Sequence, residues 1–439
     1  MNSDTANDLI QAVIGGVEAL QKKTFSEVRS IVGDDYLIPP SLPLGDGKSI
    51  WITPAGLVAV DRLAALWRRR SPLGKQTSAN EARKATALAI AKLLVGTDAD
   101  GAEPTLTPGR IDRAVDDQIS SLLSEVTHYF QAHLFRHSTI ECLNIGPVFL
   151  ETSSRWKSRV LDIQGDDVDR STHGEWFVEA PWVGSVTVRG RTLERSREHA
   201  AACLRLALDS LTLPMTITQA REVRGPSDTI QECRSHSFTQ HENGFLGFGI
   251  SREVFGLRSG AEAIDSFVAR QQSFLDLVGD AISGIVDEQP GHANANLKRR
   301  WLEALYWFGE ARRSPDDFVA LVKTGIVLDI LSGGGRAGGI ITLCSNLWGC
   351  AEDHAITSDG RSVKKLVDQI YNEGRSRLAH GGRFGLLEEI PLVRNDADRF
   401  TAIVLVNYML RLARYKGRDD AKAFRQTLST PDDCGGASG

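Results

Sequence analysis

Residues 370–384 read Ile-Tyr-Asn-Glu-Gly-Arg-Ser-Arg-Leu-Ala-His-Gly-Gly-Arg-Phe, and this stretch decides how the last third of the chain is read. The apolar spacing ahead of it predicts a helix over 361–379. The pair Gly381-Gly382 should stop that helix at His380, because glycine is the residue that most readily closes a helix. Arg375 and His380 stand five positions apart, which on a regular α-helix separates their side chains by roughly 140°. Ser376 and His380 are the i, i+4 neighbours, so the hydroxyl is placed to orient the imidazole.

Working outward, helical spacing predicts further helices near 260–286, 295–312, 315–331, 339–350 and 396–415. Most connections between them are short, which favours antiparallel packing into a bundle. Ahead of the bundle the pattern changes. STIECLNIG, GPVFLETS, GEWFVEAPWV, GSVTVRG and GFLGFGIS are short, β-branched or aromatic, and broken by Gly and Pro, so they read as strands. A helix over 194–212 interrupts them. The first part of the chain predicts helices over 5–32, 53–70, 78–95 and 110–136, a proline-rich loop over 35–50 and a linker over 96–109. The fold class expected is α+β: an N-terminal mixed helical and antiparallel-sheet region followed by a C-terminal all-α bundle. The expected divisions are 1–137, mostly helical; 138–257, α+β; 258–430, the helical bundle; and 431–439, a polar tail.

The chain has 439 residues, 41% of them apolar and 24% charged, which is ordinary globular composition and enough to bury a core without staples. A net charge of −5 argues against a nucleic-acid coat protein or a membrane-surface binder as a whole, while leaving room for a local basic site. Cys142, Cys203, Cys233, Cys344, Cys350 and Cys434 form no C-x-x-C pair, so they read as reduced thiols. The first residues are acidic where a signal peptide would be basic, and no long apolar run occurs. The expectation is a cytoplasmic protein that does not enter a membrane.

The 370–384 stretch suits one chemistry. RNA carries its own nucleophile, the 2′-hydroxyl. Cleavage needs a base for that proton, an acid for the leaving 5′-oxygen and a cation for the charge on the phosphorane. Histidine titrates near neutrality and can serve as base or acid, so His380 is the candidate for proton transfer. Arginine stays charged and grips phosphate through parallel hydrogen bonds, so Arg375 is the candidate clamp. Arg377 and Arg383 add attraction for the RNA backbone. No carboxylate cluster suited to a metal is visible, and no cofactor is expected.

The set Tyr371, Arg375-Ser376 and His380-Gly381-Gly382 resembles the Apea-like branch of the HEPN family. Its hallmark is an arginine, a polar residue, and a histidine a few positions later that is often followed by glycine. The segment RRWLEALYWFGEARRSPDDFVALVKTGIVLDIL is similar to the same branch, in which an aromatic-bearing helix leads to a second helix ending in an apolar–acidic–apolar signature. That acidic position is usually glutamate; here it is Asp329. The resemblance covers about residues 295–416. It implies a helical bundle that dimerises so that two motifs face one groove, and a metal-independent endoribonuclease of a toxin or anti-phage system. Arg375 and His380 would be catalytic, with Ser376 and Asp329 supporting them. Arg377, Arg383 and Tyr371 would touch RNA, and the N-terminal region would answer a phage or regulatory trigger. The alternative is an inactive bundle of the same kind that dimerises and binds RNA or protein.

Other signals read more plainly. Gly333 to Gly338 spells G-x-G-x-x-G, but Ala320, Val322, Ile326 and Ile330 before it have helical rather than strand spacing, so it reads as a connection between helices. His128, His133 and His137 fall on a predicted helix without the companions a zinc site needs. Arg68, Arg69 and Arg70 suit a helix C-terminus. Trp301, Tyr306, Trp307 and Phe308 read as bundle core or dimer interface.

Overall fold

The structure, a computed structural model, describes residues 3–33, 35–36, 38–45, 47–95, 106–136, 138–161, 181–225, 234–240, 246–252, 256–287, 293–357, 359–376 and 391–427; the side chains of 373–376 are not among what it describes. The chain divides into two compact units, Met1–Val126 with Val188–His199, and Thr127–Thr187 with Ala200–Gly439. Helices and antiparallel sheets are both present, so the α+β expectation holds.

The first unit begins with α1 (Ser3–Glu18) and α2 (Phe25–Val32). One helix was expected over 5–32. The break has a local cause: Thr24 accepts from the Glu27 N–H while the Glu27 carboxylate accepts from the Thr24 N–H, a capping box that starts a new helix. The proline-rich stretch expected as loop forms a hairpin, β1 (Ser41–Gly45) and β2 (Lys48–Trp51), with Pro43 at the register shift, where a missing N–H costs no ladder bond. α3 (Pro54–Arg70) and α4 (Ala79–Val95) follow the sequence reading, α3 opening on a Thr53 cap and a first-turn proline. Trp67 is buried in this unit's core, and its indole N–H donates to Asp116 Oδ1 at 2.8 Å.

The helix expected over 110–136 is overturned. α5 (Pro108–Leu122) buries Ile111, Val115 and Ile119 at helical spacing, but that spacing stops there. The chain then extends into β3 (Ser124–Ala132), whose β-branched and aromatic residues suit a pleated surface. His128 therefore lies on a strand, His133 lies on an isolated bridge to Arg224, and His137 is outside the described residues.

β4 (Cys142–Ile145) and β5 (Val148–Thr152) form a two-residue hairpin through Gly146-Pro147, with Gly146 at φ +58°. A helical turn α6 (Ser153–Trp156) runs into a π turn over Lys157–Leu161. β6 (Trp182–Arg191) then completes a sheet of order β3-β6-β5-β4. Leu143, Leu150, Val183 and Val186 from its strands are buried. Leu204 of α7 (Leu193–Leu211) lies against β6 at Gly184. Strands are expected between 214 and 256, GFLGFGIS among them; α8 (Ile217–Glu222) comes first, started by a Thr216–Gln219 capping box, and then the hairpin β7 (Arg234–Gln240) and β8 (Leu246–Arg252), the latter within GFLGFGIS and the residue after it.

The rest is helical: α9 (Ala261–Asp287), α10 (Ala295–Arg313), α11 (Asp317–Ser332), α12 (Arg336–Trp348), α13 (Val363–Val367), a π-helix (Asp368–Ser376), α14 (Pro391–Leu412) and α15 (Ala421–Thr427). α15 was not anticipated. α10 buries Leu297, Trp301, Leu305 and Phe308, one face of a regular helix. Trp301 is fully enclosed and its indole N–H donates to the Leu405 carbonyl of α14 at 2.9 Å, so truncating it to alanine would cost about 3–5 kcal/mol. α11 is apolar all round, as a central helix must be, and packs on α10, α12, α14 and the π-helix. No single helix among the described residues is long and apolar enough to cross a membrane.

Candidate active site

The candidate site is built on two packed elements, α11 and the helix that carries the 370–384 motif. The second starts as α13, where Ser362 accepts from the Lys365 N–H. Val363, Leu366, Val367, Ile370 and Tyr371 are buried, while Lys364, Lys365 and Asn372 are exposed. From Asp368 the turns widen to i→i+5 hydrogen bonds, a rare arrangement that is frequent at functional sites; a second such turn stands at Lys157–Leu161. A regular α-helix was expected over 361–379. The wider turn changes the angle between successive residues over Asp368–Ser376 from that of an α-helix. The roughly 140° expected between Arg375 and His380 concerns a stretch that runs outside the described residues.

Arg361 anchors the widened helix. Its guanidinium donates to Asp396 of α14 at 2.6 Å, to Asp359 at 2.7 Å and to Gln369 at 3.4 Å. The hydrogen bond from Asp396 leads, ahead of that from Asp359, in holding the Arg361 pKa above its ordinary value.

α11 packs directly along the π-helix. Asp329 is half-buried near the C-terminal end of α11, and its carbonyl accepts from the Gly334 N–H at 3.2 Å and the Ser332 hydroxyl at 3.0 Å. The element bearing Asp329 and the one bearing Tyr371, Arg375 and Ser376 are thus neighbours. Tyr371 is buried, at 8% exposure. Arg375 and Ser376 occupy the last described turn of the π-helix, and Arg377, His380 and Arg383 lie outside the described residues.

α11 ends in a loop of three successive glycines with positive φ, Gly333 (+71°), Gly334 (+87°) and Gly335 (+97°), and α12 leaves at 67° to α11. Only glycine takes such angles without strain, so the G-x-G-x-x-G string serves a sharp turn between helices. Of the four aromatics of α10, Trp301 and Phe308 are core, whereas Tyr306 and Trp307 are exposed and meet edge to face at 6.1 Å. Arg205 of α7 lies over the Tyr306 ring at 4.5 Å. Among the described residues no group of three or more His, Cys, Asp or Glu side chains could hold a metal ion.

Sequence reasoning passed over one set of functional candidates. Residues 411–425 hold six basic and two acidic side chains in a chain whose net charge is negative, and that local excess was the available signal. Family models, curated proteins and solved structures were all compared with this chain, and none matches.

Proposed function

We propose that the chain is a metal-independent endoribonuclease of the HEPN type. The reading is carried by the Arg375-Ser376…His380-Gly381-Gly382 motif, set at the end of a widened helix that packs on the α11 segment bearing Asp329. A wide turn at this place is the kind of local irregularity that folds keep where chemistry requires it.

In this mechanism Arg375 clamps the non-bridging oxygens of the scissile phosphate through two parallel hydrogen bonds. His380 exchanges protons with the reacting oxygens: a proton leaves the 2′-hydroxyl as its oxygen attacks phosphorus, and a proton reaches the 5′-oxygen as its bond to phosphorus breaks. The products are a 2′,3′-cyclic phosphate and a 5′-hydroxyl. Ser376 and Asp329 orient the pair, and Arg377, Arg383 and Tyr371 hold the neighbouring RNA. A homodimer through the helical bundle would bring two motifs to one groove. The N-terminal region would restrain the site until a phage or other regulatory signal arrives, and the protein would work in the cytoplasm on cellular RNA.

The test is cleavage of total cellular RNA by the purified full chain in excess EDTA, beside His380→Ala and Arg375→Ala. The reading expects cyclic-phosphate ends from the wild type and at least about a hundredfold slower cleavage by either variant. Equal rates for wild type and His380→Ala would sink it. Tight RNA binding without cleavage by any of the three would instead favour an inactive binding bundle.

A further inference from the structure

The end of α14, the loop after it and α15 carry Arg411, Arg414, Lys416, Arg418, Lys422 and Arg425. Arg414, Lys416, Arg418 and Lys422 are exposed, and none of these four nor Arg411 makes an ion pair among the described residues. The two acids of the segment bond to backbone, and Asp420 also feels the charges of Arg418 and Lys422. Asp419 accepts from the N–H groups of Asn296 and Leu297 at 2.8 and 2.9 Å, and Asp420 from those of Lys422 and Ala423 at 3.1 and 3.0 Å. Hydrogen bonds from Ala423 and Lys422 hold the Asp420 pKa below the ordinary carboxylate value, so it stays ionised in that role.

The surface continues onto neighbouring elements. A cleft of about 250 Å³ lies beside it, lined by Arg299, Arg300 and Glu303 of α10 and by Asp419 and Asp420; its three carboxylates outnumber its two cations, so the cationic surface lies outside the cleft, on the exposed Arg414, Lys416, Arg418 and Lys422. Gly333 lies against Ala421, and Arg425 donates to the carbonyls of Ser332 and Gly334 at 3.1 and 2.9 Å. Exposed Arg336 opens α12 from the same glycine loop.

Helix energetics explain only part of this charge. Arg411 and Arg414 stand at the C-terminal end of α14, where cations are favoured. Arg336 opens α12, where the helix dipole disfavours a cation. The exposed Arg414, Lys416, Arg418 and Lys422, with Arg336 nearby in sequence to the glycine loop that Arg425 binds, outnumber the acids of the segment and fit a partner that is a polyanion.

We propose that this surface holds the RNA backbone. The choice of RNA rests on the nuclease reading above. Two contacts tie the neighbouring elements to the helix that bears Asp329: Arg300 donates to the Ile330 carbonyl of α11 at 2.9 Å, and Arg425 to the Ser332 carbonyl at 3.1 Å. The exposed Lys and Arg side chains each meet one phosphate, which gives affinity without sequence preference and a strong dependence on salt.

The experiment uses the full-length protein and a fluorescein-labelled 2′-O-methyl oligoribonucleotide, which has no nucleophile and cannot be cut. Binding is followed by anisotropy from 50 to 300 mM salt, for the wild type, the variant R414A/K416A/R418A and, on other elements, the variant R299A/K422A. All five substituted side chains are exposed, and melting curves check that each variant folds. The expected result is at least about a tenfold loss of affinity for the triple variant and a salt slope shallower by about 2, at roughly 0.7 for each phosphate no longer neutralised. Unchanged affinity and slope in both variants overturn the proposal, as does loss of binding to phosphatidylserine vesicles with RNA binding intact, which would make the surface a membrane contact. The outcome is separable from the nuclease test: patch-dependent binding by a protein that never cuts RNA leaves this inference standing and removes the catalytic one.

Discussion

His133 shows how far a single side chain departs from what its sequence neighbours suggest. It is buried on the bridge to Arg224, and burial first, then the charges of Arg136 and Arg224, hold its pKa below the ordinary value of 6.5. The unfolded chain therefore binds a proton more readily than the folded one. Stability is complete above the ordinary value and is lost as pH falls from there toward the folded value. Urea titrations at pH 7.5 and 5.5 are expected to show a lower midpoint at the acidic pH, with the difference reduced in His133→Gln. An equal pH dependence in the two proteins would refute this. At this scale the sequence is least informative. His133 was read among helical neighbours, whereas its surroundings come from Arg224, distant in the chain. The motif residues differ because their meaning lies in local spacing, which is printed in the sequence itself.

The same contrast separates the helices. α10, α11 and α14 were legible because each repeats buried apolar residues at helical spacing over many turns. β3 was not, since it follows α5 without a glycine or proline to mark the change, and the widened turn of the motif helix has no residue signature either. What locks α10 in place was also invisible. Arg312 is 3% exposed; it donates to both carboxylate oxygens of Asp398 on α14 at 2.8 Å and to the Leu213 and Met215 carbonyls at 3.4 and 3.1 Å, with the Thr212 carbonyl as a further acceptor. Arg312→Met takes the guanidinium from a buried carboxylate and from the Leu213 and Met215 carbonyls, while the Thr212 carbonyl keeps its bond from the Met215 N–H at 2.9 Å, and is expected to cost about 3–5 kcal/mol in urea unfolding. Arg70 and Asp112 pair at a comparable 3.0 Å on the surface, and Arg70→Ala is expected to cost less than about 1 kcal/mol. Similar losses for the two substitutions would show that burial is not what sets the strength of the Arg312 interactions. Beside them Gly309 leaves room for Asp209: a Cβ there would stand 2.1 Å from Asp209 Oδ2.

At the scale of the whole molecule, the first compact unit is assembled from two pieces of sequence, Met1–Val126 and Val188–His199. The second piece is joined by specific bonds. The Thr192 N–H donates to the Gln76 carbonyl at 3.0 Å, the Glu194 N–H to Glu81 at 2.9 Å and the Ser78 hydroxyl to the Glu194 carboxylate at 2.8 Å. Glu81 answers with its pKa: burial raises it, but hydrogen bonds from Thr192, Glu194 and Ser78 together bring it below the ordinary value. A fragment ending at Val126 is therefore expected to melt broadly, and a synthetic peptide of residues 188–199 to sharpen and raise that melt. A melt indifferent to the peptide would show that the first piece folds unaided. Composition and charge had no way to reveal this interleaving, because it depends on which strands and helices return to which core.

The split also sets a schedule for synthesis. When Val126 has left the ribosome, Gln76, Ser78 and Glu81 still lack the partners that Thr192 and Glu194 provide. The intervening Thr127–Thr187 must be translated first, a wait of several seconds at about 5–20 residues per second. For that interval the nascent chain holds these polar groups without their final partners, and translation speed through residues 127–187 becomes a determinant of how much protein reaches the native state.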